Sequence, residues 1–251
     1  SAEELPWRTA PPAEEAGGFL YGGDGQALGK SSGALDDLTE VLRREKFPAL
    51  NGGITENPLL SSCEEAAALA AEKKAAFVVG IGGGSPLDAA KAIAALAANL
   101  GLTGKLFKKA WKNPPLPIVL IGTTSGTGSE VSPTSVLTVD GVKSLFPGRS
   151  FTRLLPSRTR RIPVQCLIIP RFPPGSMLLS CRGGLFSPAC DDITGYLAEK
   201  AMPMVYRGLK MMRPEMEMTP AFREQMYYGS LWAGLVLNAH GTSFPHPTAM
   251  C

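Results

Sequence analysis

The chain has 251 residues, 44% of them hydrophobic, and a formal net charge of +3, enough for one large domain or two modest ones around a real core. So small a charge gives no sign of a nucleic-acid or membrane-surface partner, and no apolar run nears the roughly 20 residues that cross a bilayer. The first residues lack a basic region followed by an apolar core, and five cysteines (Cys63, Cys166, Cys181, Cys190, Cys251) without a CxxC pair read as free thiols of a reducing compartment; a cytoplasmic protein is expected.

Residues 1–27 show no convincing period. The first helical signal is "SGALDDLTEVLRREKF", which sets Leu35, Leu38 and Leu42 on one face. Asp36 and Asp37 stand near its start and Arg43, Arg44 and Lys46 near its end, as the helix dipole favours. "SCEEAAALAAEKKAA" predicts a second helix, with Ser62 and Glu65 as a capping box and Lys73 and Lys74 at its close. "AAFVVGI" then has the make-up of a strand buried on both faces. The helix after it is predicted to open at Ser85, with Pro86 first and Asp88 third. "LPIVLIG" (Leu116 to Gly122) is a second buried strand, running into "TTSGTGSEVSPTSVLTV". Alternating strands and helices argue a parallel sheet covered on both faces. From Ala221 the pattern is helical, with Thr219 and Pro220 as cap and first-turn residue and His240 at the far end beside the last carbonyls.

Two loops stand out. Gly82-Gly83-Gly84-Ser85 between strand and helix puts backbone amides and a positive helix end where an anion can sit, although a tight turn would use the same residues. "TTSGTGSE" (Thr123 to Glu130) again follows a buried strand and again combines small residues with hydroxyls. In a parallel sheet the loops at the carboxyl ends of neighbouring strands line one crevice, so the two are expected to be two sides of one ligand site.

"GIGGGSPLDAAKAIA" followed by "PLPIVLIGTTSGTGSEVSPTSVLT", with the smaller "GKSSGALD" and "GITENP", closely resembles the iron-containing (group III) alcohol dehydrogenase family. The resemblance covers about residues 28–143 well and 190–251 in part. It implies an α/β fold: an N-terminal Rossmann-like parallel-sheet nucleotide domain followed by an all-helical metal-binding domain, here incomplete. It also implies that Gly82, Gly83, Gly84 and Ser85 hold the pyrophosphate of NAD(P), with Asp88 in the same unit. Thr123, Thr124 and Thr127 would line the nucleotide, Lys143 would reach the ribose side and Asn57 the adenine end. No acid stands at Gly29, Lys30, Ser31 or Ser32, where one would hydrogen-bond a ribose 2′-hydroxyl, so NADP is favoured over NAD.

The family assists hydride transfer with a divalent metal, Fe²⁺ or Zn²⁺, that stabilises the alkoxide. Its ligands are an Asp, a His four residues later on one helical face, and two histidines downstream. "ACDDITGYLAEKAMPM" and "GSLWAGLVLNAHGTSFPHP" resemble the ligand segments. They put Asp191 on the ligand aspartate, Gly195 on the first histidine and His246 on the third ligand, and the chain stops at Cys251 before the fourth. From the residues alone, Asp191 reads equally as a solvated acid at a helix start, and His246 between two prolines as a loop residue.

Between Gly141 and Cys190 lie fifty residues with no Asp or Glu, Lys143 and seven arginines, and seven of the 22 prolines. "RLLPSRTRR" could be an Arg cluster for phosphate or nucleic acid. The composition is also what a shifted reading frame of a GC-rich gene gives, and that reading is preferred, so residues 148–189 are expected to be irregular. The expected organisation is a nucleotide-binding α/β domain over 1–147 (1–27 off the family pattern), a basic Pro-rich segment over 148–189 and a partial helical domain over 190–251. The expected function is NAD(P)-dependent, metal-assisted interconversion of a primary alcohol and an aldehyde, impaired in this chain. The expected partners are the small-molecule alcohol or aldehyde and a second copy of the chain, with no nucleic acid and no membrane. The alternatives are a non-catalytic dinucleotide-binding protein, a non-functional product, and a related enzyme like glycerol dehydrogenase.

Overall fold

The computed structural model describes residues 17–23, 33–45, 49–54, 57–101, 111–147, 181, 184–185, 187–188, 190–213, 216 and 218–240. Among these residues the elements run in chain order as β1 (Gly17–Gly23), α1 (Ala34–Arg44), β2 (Ala49–Ile54), α2 (Leu60–Glu72), β3 (Ala75–Gly82), α3 (Gly84–Ala98), β4 (Ile118–Gly122), β5 (Thr134–Val139), β6 (Val142–Pro147), α4 (Asp192–Met211) and α5 (Pro220–His240). Strands β2-β1-β3-β4 form one parallel sheet, and β5-β6 a separate antiparallel hairpin turned at Asp140 and Gly141, both with positive φ.

Strands β1 and β2 differ from the sequence expectation, as does the β5-β6 hairpin. "GGFLYGG" and "ALNGGI" have no alternation to read, yet β1 lies inside the sheet with Phe19 opposite Leu50 on one side and Val78 on the other. Pairing on both sides supplies what the local pattern lacks. The two strands read from sequence, β3 and β4, are neighbours in register, Gly82 opposite Gly122. Their carboxyl ends therefore leave the sheet side by side.

Helix starts correct the sequence reading twice. Helix α2 begins at Leu60, capped by Leu59 with no side-chain bond, so Ser62 lies within the first turn and makes no capping box. Thr138 donates its backbone N–H to the Pro58 carbonyl (2.8 Å), which ties the segment just before α2 to β5 and brings the helix start forward. Helix α3 is capped at Gly83 rather than Ser85, with Gly84 as its first residue. Helix α1 is as expected: Leu42 is buried and Leu35 and Leu38 pack on Val79 and Ile81 of β3.

Alanine dominates α3, and the helix is buried on almost every side, from Pro86 and Leu87 through Ala89–Leu96, packed between α2 and the sheet. Small side chains let helix and strand approach closely, and alanine has the best helix propensity. Buried Asn99 ends it: its amide donates to the Ala95 and Asn113 carbonyls and its oxygen accepts from the Lys112 and Asn113 amides, which fixes the return of the chain toward β4.

Helices α4 and α5 pack on each other around Ala198, Ala201, Ala233 and Val236, and Cys181 and Leu185 join that core. Two residues near the end of the Pro-rich segment, Cys181 and Leu185, thus pack into the helical part, where the sequence reading expected irregular chain; of the segment 148–189 only residues 181, 184–185 and 187–188 are among the described residues. Thr219 caps α5, its hydroxyl accepting from the Phe222 amide (3.3 Å), as expected. Among the described residues no helix is long and apolar enough to cross a membrane.

Candidate functional site

The glycine loop and the threonine loop adjoin. The Thr123 amide donates to the Gly82 carbonyl (2.8 Å). A Cβ placed on Gly83 would lie 3.3 Å from Thr124 Oγ1, and one on Gly84 would lie 2.9 Å from Thr127 Cγ2. The glycines are therefore required by the second loop as much as by any ligand. Gly82 has φ 141°, and a Cβ there would meet Pro86 Cγ at 2.5 Å, so the turn into α3 excludes side chains at its first step. Asn57 joins the pair: its backbone N–H points at Ser85 Oγ, 3.4 Å away. Seven of the residues singled out by sequence, Asn57, Gly83, Gly84, Ser85, Thr123, Thr124 and Thr127, thus meet at the carboxyl edge of β3 and β4.

One atom in this edge is conspicuous. Thr123 is 1% exposed, and its Oγ1 has no hydrogen-bond partner among the described residues. Buried hydroxyls are nearly always bonded, and an orphan costs about 1–3 kcal/mol of desolvation. Together with the α3 amides it fits a ligand rich in acceptors, as a dinucleotide is.

Asp88 faces elsewhere. Its Oδ1 accepts from Lys91 Nζ (3.2 Å) and Ser129 Oγ, its Oδ2 accepts from the Val136 amide (3.0 Å), and its carbonyl accepts from Ser135 Oγ (2.7 Å). Both carboxylate oxygens are occupied by the protein. Lys91 is fully buried, and besides Asp88 it donates to Ser129 Oγ and the Thr134 carbonyl, each at 2.7 Å. Burial lowers the Lys91 pKa, opposed by Asp88 and, more weakly, by Glu130. Buried Glu130 is pushed upward by desolvation, with its own backbone N–H and Lys91 opposing. Sequence reasoning passed over Lys91, Ser129 and Glu130. The available signal was a single lysine inside "DAAKAIAALAA", one turn from an acid.

Lys143 stands exposed on β6, paired opposite Thr138. His246, like Gly29 to Ser32, lies outside the described residues.

Asp191 is the N-cap of α4. Its carboxylate accepts from the Thr194 amide (2.8 Å) and the Thr194 hydroxyl, while its own amide donates to that hydroxyl, a complete capping box. Four residues on, at Gly195, there is no donor atom; the nearest atom to a Cβ there would be Cys190 Sγ, 3.6 Å away. No group of three or more His, Cys, Asp or Glu suited to a metal ion occurs among the described residues. The described residues do not fit a catalytic metal, which ordinarily needs three protein ligands.

Comparison with known proteins agrees with the fold and with the two loops. The model of the iron-containing alcohol dehydrogenase family matches residues 23–154, a little over half of the chain. Long-chain-alcohol dehydrogenase 1 of Geobacillus thermodenitrificans is 39% identical over 121 residues, 45% of this chain and 30% of that protein. The 1,3-propanediol dehydrogenase of Klebsiella pneumoniae is 29% identical over 231 residues, 86% of this chain and 57% of its own length. The crystal structure of an iron-containing alcohol dehydrogenase from Thermotoga maritima superposes with a TM-score of 0.73 at 29% identity, covering 91% of this chain and 63% of that one. The chain thus spans about half the length of the longer-matching curated relative. A Rossmann-like sheet whose glycine and threonine loops abut, followed by a helical part and matched by the family model over both loops, makes this chain a member of the iron-containing alcohol dehydrogenase family.

Proposed function

We propose that the chain binds NAD(P) across its two adjoining loops, and that its framework serves the interconversion of a primary alcohol and an aldehyde with little or no turnover in this chain itself. The observation carrying the first part is the contact between the glycine and threonine loops, with the buried, unpartnered Thr123 hydroxyl at their junction. Gly83, Gly84 and Ser85, at the start of α3, would hold the pyrophosphate, where peptide dipoles favour negative charge. Thr123, Thr124 and Thr127 would line the nucleotide, Asn57 would border its adenine end and Lys143 its ribose side. The bound nicotinamide supplies the hydride acceptor or donor. Asp88 has no ligand role in this reading, because its oxygens serve Lys91, Ser129 and Val136. NADP is preferred to NAD because no acid at Gly29 to Ser32 would repel a 2′-phosphate.

The impairment rests on the ligand positions. Asp191 is engaged as a helix cap and residue 195 is a glycine. A second reading, a dinucleotide-binding protein without catalysis, is favoured by the same two residues. Fluorescence titration with NADPH and NADH, followed by assay of butanol and propanediol oxidation after loading with Fe²⁺ or Zn²⁺, tests both parts. Saturable binding without turnover is the expected result. Turnover at the rate of an ordinary dehydrogenase would overturn the impairment, and absence of binding would overturn the dinucleotide site.

A further inference from the structure

We infer that Ser129 is the positioning residue of the threonine loop: its hydroxyl, held between Lys91 and Asp88, sets the turn through Thr127 and Gly128 in the shape that receives the dinucleotide, a reading that rests on the proposed ligand. Three stretches of chain meet at this point. Lys91 and Asp88 come from the first turns of α3, Ser129 from the loop after β4, and Thr134, Ser135 and Val136 from β5. The three protons of the Lys91 ammonium have three acceptors: Asp88 Oδ1, Ser129 Oγ and the Thr134 carbonyl. The Ser129 hydroxyl accepts from Lys91 and donates to Asp88, so both its lone-pair side and its proton are fixed in direction.

From Ser129 the constraint passes back along the loop. Its amide points at Thr127 Oγ1 (3.3 Å), and Thr127 is the side chain that packs on Gly84 of the glycine loop. The Gly128 carbonyl accepts from the Val131 amide (3.1 Å) and the Ser129 carbonyl from the Ser132 amide (3.3 Å), which tightens the turn on its other side. Buried ion pairs add little net stability compared with apolar replacements, because desolvation offsets their attraction. Directed bonds do specify geometry, and here they specify the loop whose threonines face the ligand. Ser129 itself has its hydroxyl fully engaged and is assigned no contact with the dinucleotide.

The test compares Ser129→Ala, Lys91→Met and the double variant in the full chain. Amide hydrogen exchange of residues 123–131 without ligand reads the loop directly, NADPH titration reads the consequence, and thermal melting reads global stability. In Ser129→Ala, exchange in that segment should quicken while exchange in α2 and β3 stays as in the parent, and NADPH affinity should fall about tenfold. In the double variant the loss of affinity should be no greater than in the worse single variant, since both break one unit. Unchanged loop exchange in Ser129→Ala would overturn the inference, as would faster exchange with unchanged affinity or losses that simply add. Should Lys91→Met fail to fold, Ser129→Ala decides alone. If the parent chain binds neither NADPH nor NADH, the proposed ligand falls, and the exchange comparison by itself decides whether Ser129 sets the turn.

Discussion

Gly128 of the threonine loop and Gly234 of α5 meet backbone against backbone. A Cβ on Gly128 would lie 2.8 Å from the Gly234 Cα, and one on Gly234 would lie 2.9 Å from the Gly128 Cα and 3.0 Å from its carbonyl oxygen. The helical part is thus seated directly on the threonine loop, with Val131 Cγ2 flanking the contact, 2.8 Å from where a Gly234 Cβ would stand. Gly234→Ala should cost about 1–3 kcal/mol, the range for forcing atoms into a packed contact. Gly128→Ala should cost more, because Gly128 also has φ 59°, which adds about 1–2 kcal/mol for a residue with a Cβ. Gly141→Ala, with φ 78° and open space around it, should lose only that conformational part. Urea melts of the three variants would rank them.

Thr123→Val should separate stability from binding. Valine keeps the shape of threonine and removes a buried hydroxyl that has no partner among the described residues. Stability should rise by about 1 kcal/mol, while NADPH affinity falls about tenfold as the ligand loses a hydrogen bond. A variant both less stable and unchanged in affinity would contradict the role given to this atom.

Asp191→Ala removes the capping box of α4. Loss of such a cap costs about 0.5–2 kcal/mol, so the thermal midpoint should drop. Iron or zinc retained after dialysis, measured by elemental analysis, should not differ from the parent. A loss of bound metal in the variant would restore Asp191 to the ligand role implied by family resemblance.

Alkaline conditions should weaken the fold through Cys63. Desolvation, with Asp88 and Glu64 adding to it, pushes its thiol from 9.0 up to about 12. The folded state holds that proton where the unfolded chain has released it, so this contribution is intact below pH 9 and is lost as pH rises toward 12. The slope is at most about 1.4 kcal/mol per pH unit. Lys91, whose pKa is lowered, acts in the opposite direction over part of this range. The difference between the parent and Cys63→Ala in denaturant melts at pH 8.5 and 10.5 isolates the cysteine, and it should shrink at the higher pH.

Several of these features could be read from residues alone. Acids first and bases last around a leucine face located α1, and the apolar runs before the two loops located β3 and β4, because each carries its own local preference. β1 and β2 carry none: "GGFLYGG" and "ALNGGI" become strands through their neighbours, a non-local fact. The β5-β6 hairpin did have a signal, Asp140-Gly141 after the β-branched run "TSVLTV" and before the partly apolar "VKSLF", and it was overlooked. In the site, the loops were legible because glycines and hydroxyls crowd there. Lys91 was not, since a lysine among alanines looks like a solvent-facing helix position until Asp88, Ser129 and Thr134 are seen to surround it. Asp191 was legible as either a ligand or a cap, and only the Thr194 geometry distinguishes the two.

The encirclement of α3 by α2, the sheet and β5 bears on how a ligand would be received. Because that helix is clasped along its whole length and tethered near its start through Asp88 and Lys91, the orientation of its leading amides is settled when the domain folds. Capture of an anionic group there asks for little additional ordering of the chain, and such preorganisation favours affinity. The same rigidity leaves gradual opening or closing of this edge few routes, so any mobility during ligand entry has to come from elements other than α3.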